Sequence, residues 1–314
     1  FPDFSMDHLV SCLSRAGEGL RTGFRELDKR LRIPRGAITL VAGRPSHGKT
    51  MVLLNLLRKQ MELEPEKRHV FASYEEDAHW IISKLFVSMA NIMLGEEGKD
   101  YQLPEYQKII RGDYLFSSSD KRHINRINKT WETLRNALES KRLIVAYRPG
   151  DARQLGSALR GLRSRYGDEL GSVFLDYMQI VPPPEDLKAA SAYQRVQSVS
   201  GIIRDTAVEE DLSLIAGAQI NRKAMEKASS SKHLTLNHVL RPEFLREAGD
   251  LEQDANLILG LYNAVAGQRE EAAADEGKIP DFSLSVLKNR NGRVGEEPVS
   301  LRYDRPLWRL DDEP

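Results

Sequence analysis

Apolar residues along the chain fall into two alternating patterns. Short runs rich in Val, Ile, Leu and Phe occupy residues 38–42, 69–74, 143–147, 172–177, 213–218, 256–262, 282–287 and 299–303. Longer stretches with apolar residues every three or four positions separate most of the earlier runs, residues 51–61 being one. Near-continuous apolar runs predict strands buried on both faces, as in a parallel sheet covered by helices. The alternation therefore predicts an α/β fold with a mostly parallel central sheet flanked by helices. No long helical stretch separates the last three runs, so they are expected to form a hairpin-like antiparallel edge. Two segments break the pattern. Pro182-Pro183-Pro184 opens a polar stretch that predicts a loop to Gln194, and residues 264–280 form an Ala/Glu/Asp-rich insert expected to be mobile. Near the start, Met6, Leu9, Val10 and Leu13 follow the capping candidate Ser5 at helical spacing. That helix packs either on its own domain or on a neighbouring subunit. The expected organisation is a docking helix over residues 1–20 and one domain over 21–314.

Composition narrows the function classes. The 314 residues carry 46 Lys+Arg against 46 Asp+Glu, with 40% hydrophobic and 29% charged residues. Such a chain is globular, and a strongly basic, duplex-coating protein is excluded. The zero sum hides opposite segments: 12 bases against 4 acids over residues 120–165, and 10 acids against 3 bases over 243–281. No apolar run approaches the ~20 residues of a membrane-spanning helix, and the N-terminus lacks a secretory layout. A cytoplasmic protein without membrane contact is expected. Cys12 is the one cysteine, which excludes an internal disulfide and a Cys-rich zinc site.

The chemistry begins after the first strand. Gly43-Arg44-Pro45-Ser46-His47-Gly48-Lys49-Thr50 is G-x-x-x-x-G-K-[ST], placed between an apolar run and a helical pattern that opens at Met51. Glycines let backbone N–H groups face an anion, and the helix N-terminus adds its dipole. Lys49 can reach the β/γ-phosphates of ATP or another NTP, and Thr50 can ligate Mg²⁺. A second metal carboxylate is expected where a neighbouring buried strand ends, and Asp176 closes the run Ser172-Val173-Phe174-Leu175-Asp176. Hydrolysis also needs a carboxylate to orient water. Glu75 and Glu76 both follow the second strand; Glu75 is the favoured candidate and Glu76 its rival. Gln219, at the tip of the fifth strand, can bond the γ-phosphate or the water.

With these residues in order, the chain resembles the RecA-like motor domain of the DnaB family of hexameric replicative helicases, over roughly residues 22–310. The likeness rests on Thr22-Gly23-Phe24, the phosphate loop, Ser73-Tyr74-Glu75, Leu175-Asp176-Tyr177-Met178-Gln179 and Ala218-Gln219-Ile220-Asn221-Arg222. Its most specific parts are Leu245-Arg246-Glu247-Ala248-Gly249-Asp250-Leu251-Glu252-Gln253-Asp254-Ala255 and Lys288-Asn289-Arg290-Asn291-Gly292. The resemblance implies Glu75 as catalytic carboxylate, Asp176 as the metal-associated one and Gln219 as γ-phosphate sensor. Lys288 and Arg290, two apart on a strand and so on one face, are implied to reach the nucleotide of the adjacent subunit. Arg246, Glu247 and Gly249 are implied to hold single-stranded DNA, Arg246 by its charge, Gly249 by close backbone approach and Glu247 through its backbone or by orienting Arg246. A homohexameric, ATP-dependent unwinding motor associated with the nucleoid follows, with primase or a helicase loader as further partners.

Departures accompany the likeness. About twenty residues precede the motor where the family carries a primase-docking domain, so the chain is either a fragment or a minimal relative, and direct primase binding is in question. Ala248 stands where a small hydroxyl residue is commoner. Close alternatives are a RadA- or RecA-like recombination ATPase, and a nucleotide-gated ring with little hydrolysis.

Overall fold

The computed structural model of the chain describes residues 19–90, 121–220, 251–263, 282–304 and 308–313. The strands are β1 (Ala37–Gly43), β2 (Arg68–Ser73), β3 (Leu143–Tyr147), β4 (Leu170–Asp176), β5 (Ser213–Gln219), β6 (Ala255–Asn263), β7 (Phe282–Asn289), β8 (Val299–Asp304) and β9 (Arg309–Asp312). They lie in the order β3-β2-β4-β5-β1-β6-β7-β8-β9. The first six positions are parallel, and β7, β8 and β9 add on antiparallel.

Alternation along the strands sends side chains to two cores. On one face Ile38, Leu40, Val173, Leu175 and Leu214 pack under Leu155, Leu159, Val199 and Ile203. These last belong to α4 (Ala152–Tyr166) and α5 (Ala192–Glu209). On the other face Val41, Phe71, Phe174 and Ile215 meet α1 (Lys49–Leu63), α2 (Ala78–Ala90) and α3 (Lys121–Glu139). Phe71 and Phe174 stack there with ring centroids 6.3 Å apart. The parallel strands end together at one end of the sheet, where β4 and β5 close on Asp176 and Gln219 and the loops after β1 and β2 carry the phosphate motif and Glu75.

Three details differ from the sequence expectation. β6 pairs antiparallel with β7, as a hairpin requires, but its other side was not foreseen: Ile38–Ala42 of β1 pairs with it in parallel, from Ala255 to Gly260. The long connection from Gln219 to Ala255 provides the crossover that a parallel neighbour requires. β9 was not expected, because Arg309-Leu310-Asp311-Asp312 has a single apolar residue. The loop opened by the prolines stops at Ser191, whose hydroxyl accepts from the Gln194 N–H while the Gln194 side chain accepts from the Ser191 N–H. This capping box starts α5 at Ala192. The docking helix around Met6, the insert over 264–280 and the segment with Arg246, Glu247 and Gly249 lie outside the described residues. No helix among the described residues is long and apolar enough to cross a membrane.

Candidate active site

The phosphate loop leaves β1 with Ser46 (φ 63°) and Gly48 (φ 101°) in the left-handed region, and α1 starts at Lys49. A bulky residue at Gly48 would be strained there. The loop is braced by the His47 carbonyl, which accepts from Asn263 Nδ2 at 3.2 Å. Lys49 is buried at the mouth of α1, its Nζ donating to the Arg44 carbonyl at 3.1 Å and lying 5.6 Å from the Tyr177 ring centroid. Burial lowers its pKa, and the fields of Asp176 and Glu75 oppose that shift. The amine is therefore presented between two acids rather than spent in a salt bridge.

Thr50 and Asp176, 126 positions apart, meet at 2.7 Å between Oγ1 and Oδ2. Asp176 is wholly buried, and burial raises its carboxyl to about 6, with Glu75 and Glu76 adding to the rise while Thr50 and Lys49 oppose it. Its Oδ1 has no hydrogen-bond partner. A hydroxyl beside an under-satisfied buried carboxylate is a hard-oxygen set that fits Mg²⁺. Among the described residues no group of three or more His, Cys, Asp or Glu could hold a metal.

The two neighbouring acids after β2 differ. Glu76 is ion-paired with the buried Lys84 of α2, whose Nζ sits 4.1 Å from the Trp308 ring centroid. Glu75 is exposed and makes no hydrogen bond or ion pair among the described residues, yet its charge acts on Lys49, Asp176 and Tyr177. Its backbone position is set from both sides. The Tyr74 N–H donates to the Asp176 carbonyl at 2.7 Å, the Tyr74 carbonyl accepts from Arg148 Nε at 3.2 Å, and the Ser73 hydroxyl bonds the Glu76 carbonyl. Gln219 ends β5 beside Gly43. Lys49, Thr50, Asp176, Glu75 and Gln219 are thus gathered at one end of the sheet.

Residues 19–312 match the family model described as DnaB-like helicase C terminal domain. The chain belongs to that family. It is 23% identical to the replicative DNA helicase DnaB of Helicobacter pylori, over 94% of this chain and 60% of the relative. It is 26% identical to that of Haemophilus influenzae, over 94% and 55%, and 25% identical to a probable plasmid replicative DNA helicase of Chlamydia trachomatis, over 87% and 51%. The chain thus spans little more than half the length of these proteins. A separately solved ATPase domain superposes with a TM-score of 0.77 at 22% identity, with both chains fully covered. A DnaB-like replicative helicase, solved with attention to its interactions with primase, gives 0.74 at 21% identity, over all of this chain and 68% of that one. The fold is that of these DnaB-like, RecA-fold ATPase domains.

Lys288 and Arg290 stand apart from the residues gathered around the phosphate loop. Lys288 pairs with Ile258, and Ile258 with Leu40. Gly43 lies three residues further along β1, about 10 Å at ~3.3 Å per residue, and Arg290 lies further back, its N–H on the Asn256 carbonyl. Both cations dock on the short turn Leu251–Asp254, Lys288 on the Glu252 carbonyl and Arg290 on that of Gln253. The pair therefore lies well back along the strands from its own phosphate loop. Two residues escaped the sequence reading of the site. Lys84 looked like any polar position of an amphipathic helix, and Gln179 carried no role although it stood in the quoted motif. Its side chain bonds the backbone of Gln219, a contact without a sequence pattern.

Proposed function

We propose that the chain is the motor of a replicative DNA helicase, binding ATP with Mg²⁺ and working as a homohexameric ring around single-stranded DNA. Membership of the DnaB-like family supports this reading, and the Thr50–Asp176 contact beneath the phosphate loop is the observation that carries it. In this reading residues 43–51 wrap the phosphates, and Lys49 neutralises β/γ charge. Thr50 and Asp176 hold Mg²⁺, which supplies charge compensation at the phosphate oxygens when bound. Glu75 takes the proton of the attacking water, a role open to it because Glu76 is committed to Lys84. Gln219 bonds the γ-phosphate. Lys288 and Arg290 come from the neighbouring subunit to stabilise charge on the transferred phosphoryl group. Arg246, Glu247 and Gly249 follow the DNA backbone. A cytoplasmic, nucleoid-associated ring with the residue 1–20 helix docked on its neighbour completes the proposal, and primase or a loader is the natural partner class.

Hydrolysis and unwinding of a forked duplex test it together. Single-stranded DNA is expected to stimulate hydrolysis, and Glu75→Gln is expected to bind nucleotide but turn over about 10²-fold or more slower, while Glu76→Gln keeps most activity. Hydrolysis indifferent to DNA would point instead to a nucleotide-gated ring. Equal losses in the two variants would remove Glu75 from its role.

A further inference from the structure

We infer that Gln179 is a positioning residue: a side-chain strut that fixes the backbone of Gln219 between the phosphate loop and the metal-carboxylate strand. The inference rests on the reading of Gln219 as γ-phosphate sensor. Paired residues between β4 and β5 run from Ser172 and Ser213 to Leu175 and Ala216. Beyond them the ladder between β4 and β5 stops, and from Gly217 onward β5 has no paired strand on that side among the described residues. The divergence is tight at its root, since a Cβ on Gly217 would lie 3.0 Å from the Tyr177 Cβ and 3.4 Å from Asp176 Oδ1. After Tyr177 the chain makes the short turn Met178–Ile180, anchored by the fully buried Met178. From that turn the Gln179 side chain reaches back: Nε2 donates to the Gln219 carbonyl at 2.9 Å, and Oε1 accepts from the Gln219 N–H at 3.2 Å.

A primary amide presents the same donor and acceptor pair as a peptide unit, so Gln179 takes the place of the missing strand residue. Two bonds at one residue fix both its height and its rotation. On the opposite side Gln219 pairs with Gly43, where the phosphate loop begins, and the Ile220 N–H donates to the Gly43 carbonyl at 3.1 Å. The sensor is thereby held at a set distance from the phosphate loop on one flank and from Asp176, three residues before Gln179, on the other. A polar group aimed at a transition state loses most of its effect when displaced by about 1 Å.

The test is a double-mutant cycle on the full chain with Gln179→Ala, Gln219→Ala and both, with Gln179→Glu as a fourth variant. Turnover is referred to the fraction of sites that bind nucleotide, and thermal melting checks the fold. Gln219→Ala is expected to lower kcat about 10²-fold, and Gln179→Ala about tenfold or more, each with KM little changed. Both should narrow the preference for a non-hydrolysable triphosphate analogue over the diphosphate. Gln179→Glu keeps the acceptor but sets a carboxylate against the Gln219 carbonyl, so it should fall at least as far. The double variant is expected to be no slower than Gln219→Ala alone, because the strut acts through the sensor. Additive losses, or full turnover in Gln179→Ala while Gln219→Ala is slow, overturn the strut. Full turnover in Gln219→Ala removes the sensor reading itself, and the strut with it.

Discussion

His69, the second residue of β2, has its ring buried, Nδ1 2.9 Å from Ser172 Oγ and Nε2 3.4 Å from the Glu64 carbonyl. Burial pushes its pKa down to about 4 from 6.5. As pH falls, the unfolded chain takes up that proton near 6.5, whereas the folded chain does so only near 4. Stability rises with pH wherever the unfolded state binds more protons. The His69 contribution is therefore complete above about 6.5, is lost between 6.5 and 4, and is constant below. Asp176, raised to about 6, acts in the opposite sense: its folded form holds a proton that the unfolded form releases from 3.8 upward. The two nearly cancel between pH 4 and 6, so the difference between variants is the informative quantity. In denaturant melts of the nucleotide-free chain, the wild type should lose about 2 kcal/mol relative to His69→Gln between pH 7 and pH 5. Parallel pH profiles would refute it. Single residues also mark what the sequence reading could reach. Glu75 is favoured there over its rival Glu76 without any physical difference between them, and the buried Lys84, eight positions after Glu76, supplies one by pairing with Glu76 alone.

At the scale of elements, β9 shows why some structure was illegible. Strands were found by runs of apolar residues, and β9 has only Leu310 to offer. It is a strand because α1 binds its backbone: Asn55 Nδ2 donates to the Trp308 carbonyl at 2.8 Å, the Leu310 N–H donates to Asn55 Oδ1 at 2.9 Å, and Arg58 donates to the Leu310 carbonyl at 2.9 Å. Arg58 is almost wholly buried and also lies 3.3 Å from Asp311 and 3.1 Å from Glu62. A helix with Asn and Arg at i, i+3 reads as having a solvated face; here that face is covered. The eight earlier strands were legible because burial on one or both faces leaves a periodic trace, whereas the parallel placement of β6 depends on a crossover that no local pattern records. Removing one partner of a buried ionic cluster costs on the order of 3 kcal/mol. Arg58→Met is accordingly expected to lower the melting temperature and to expose the Leu310 amide to hydrogen exchange ahead of the parallel strands. If that amide stays as protected as β1, Arg58 does not hold β9.

For the whole molecule, the charge segregation seen in sequence acquires a definite meaning. Part of the basic segment is matched within the chain, Arg153 to Asp186 at 2.8 Å, Arg160 to Glu209 at 2.7 Å and Arg163 to Asp168 at 3.0 Å. These arginines balance local acids, so zero net charge is in part an internal pairing rather than a sum of separate charged faces. Lys288 and Arg290 differ, being held by backbone carbonyls with no carboxylate in a salt bridge to either among the described residues. A cation on a neutral carbonyl lacks the charge–charge attraction of one on a carboxylate or phosphate, so in the proposed ring a triphosphate would compete well for both. The register sets the pair back from its own phosphate loop, and in the proposed ring the nucleotide it would meet is that of the neighbouring copy. Lys49→Ala and Arg290→Ala proteins should each fail to hydrolyse ATP alone. Mixed in equal amounts and reassembled, about a quarter of their interfaces combine an intact Lys49 with an intact Arg290 from the neighbour. Hydrolysis should return in the mixture. A pair acting within its own subunit could not restore it at any ratio, because every subunit would then carry one broken half of its own site.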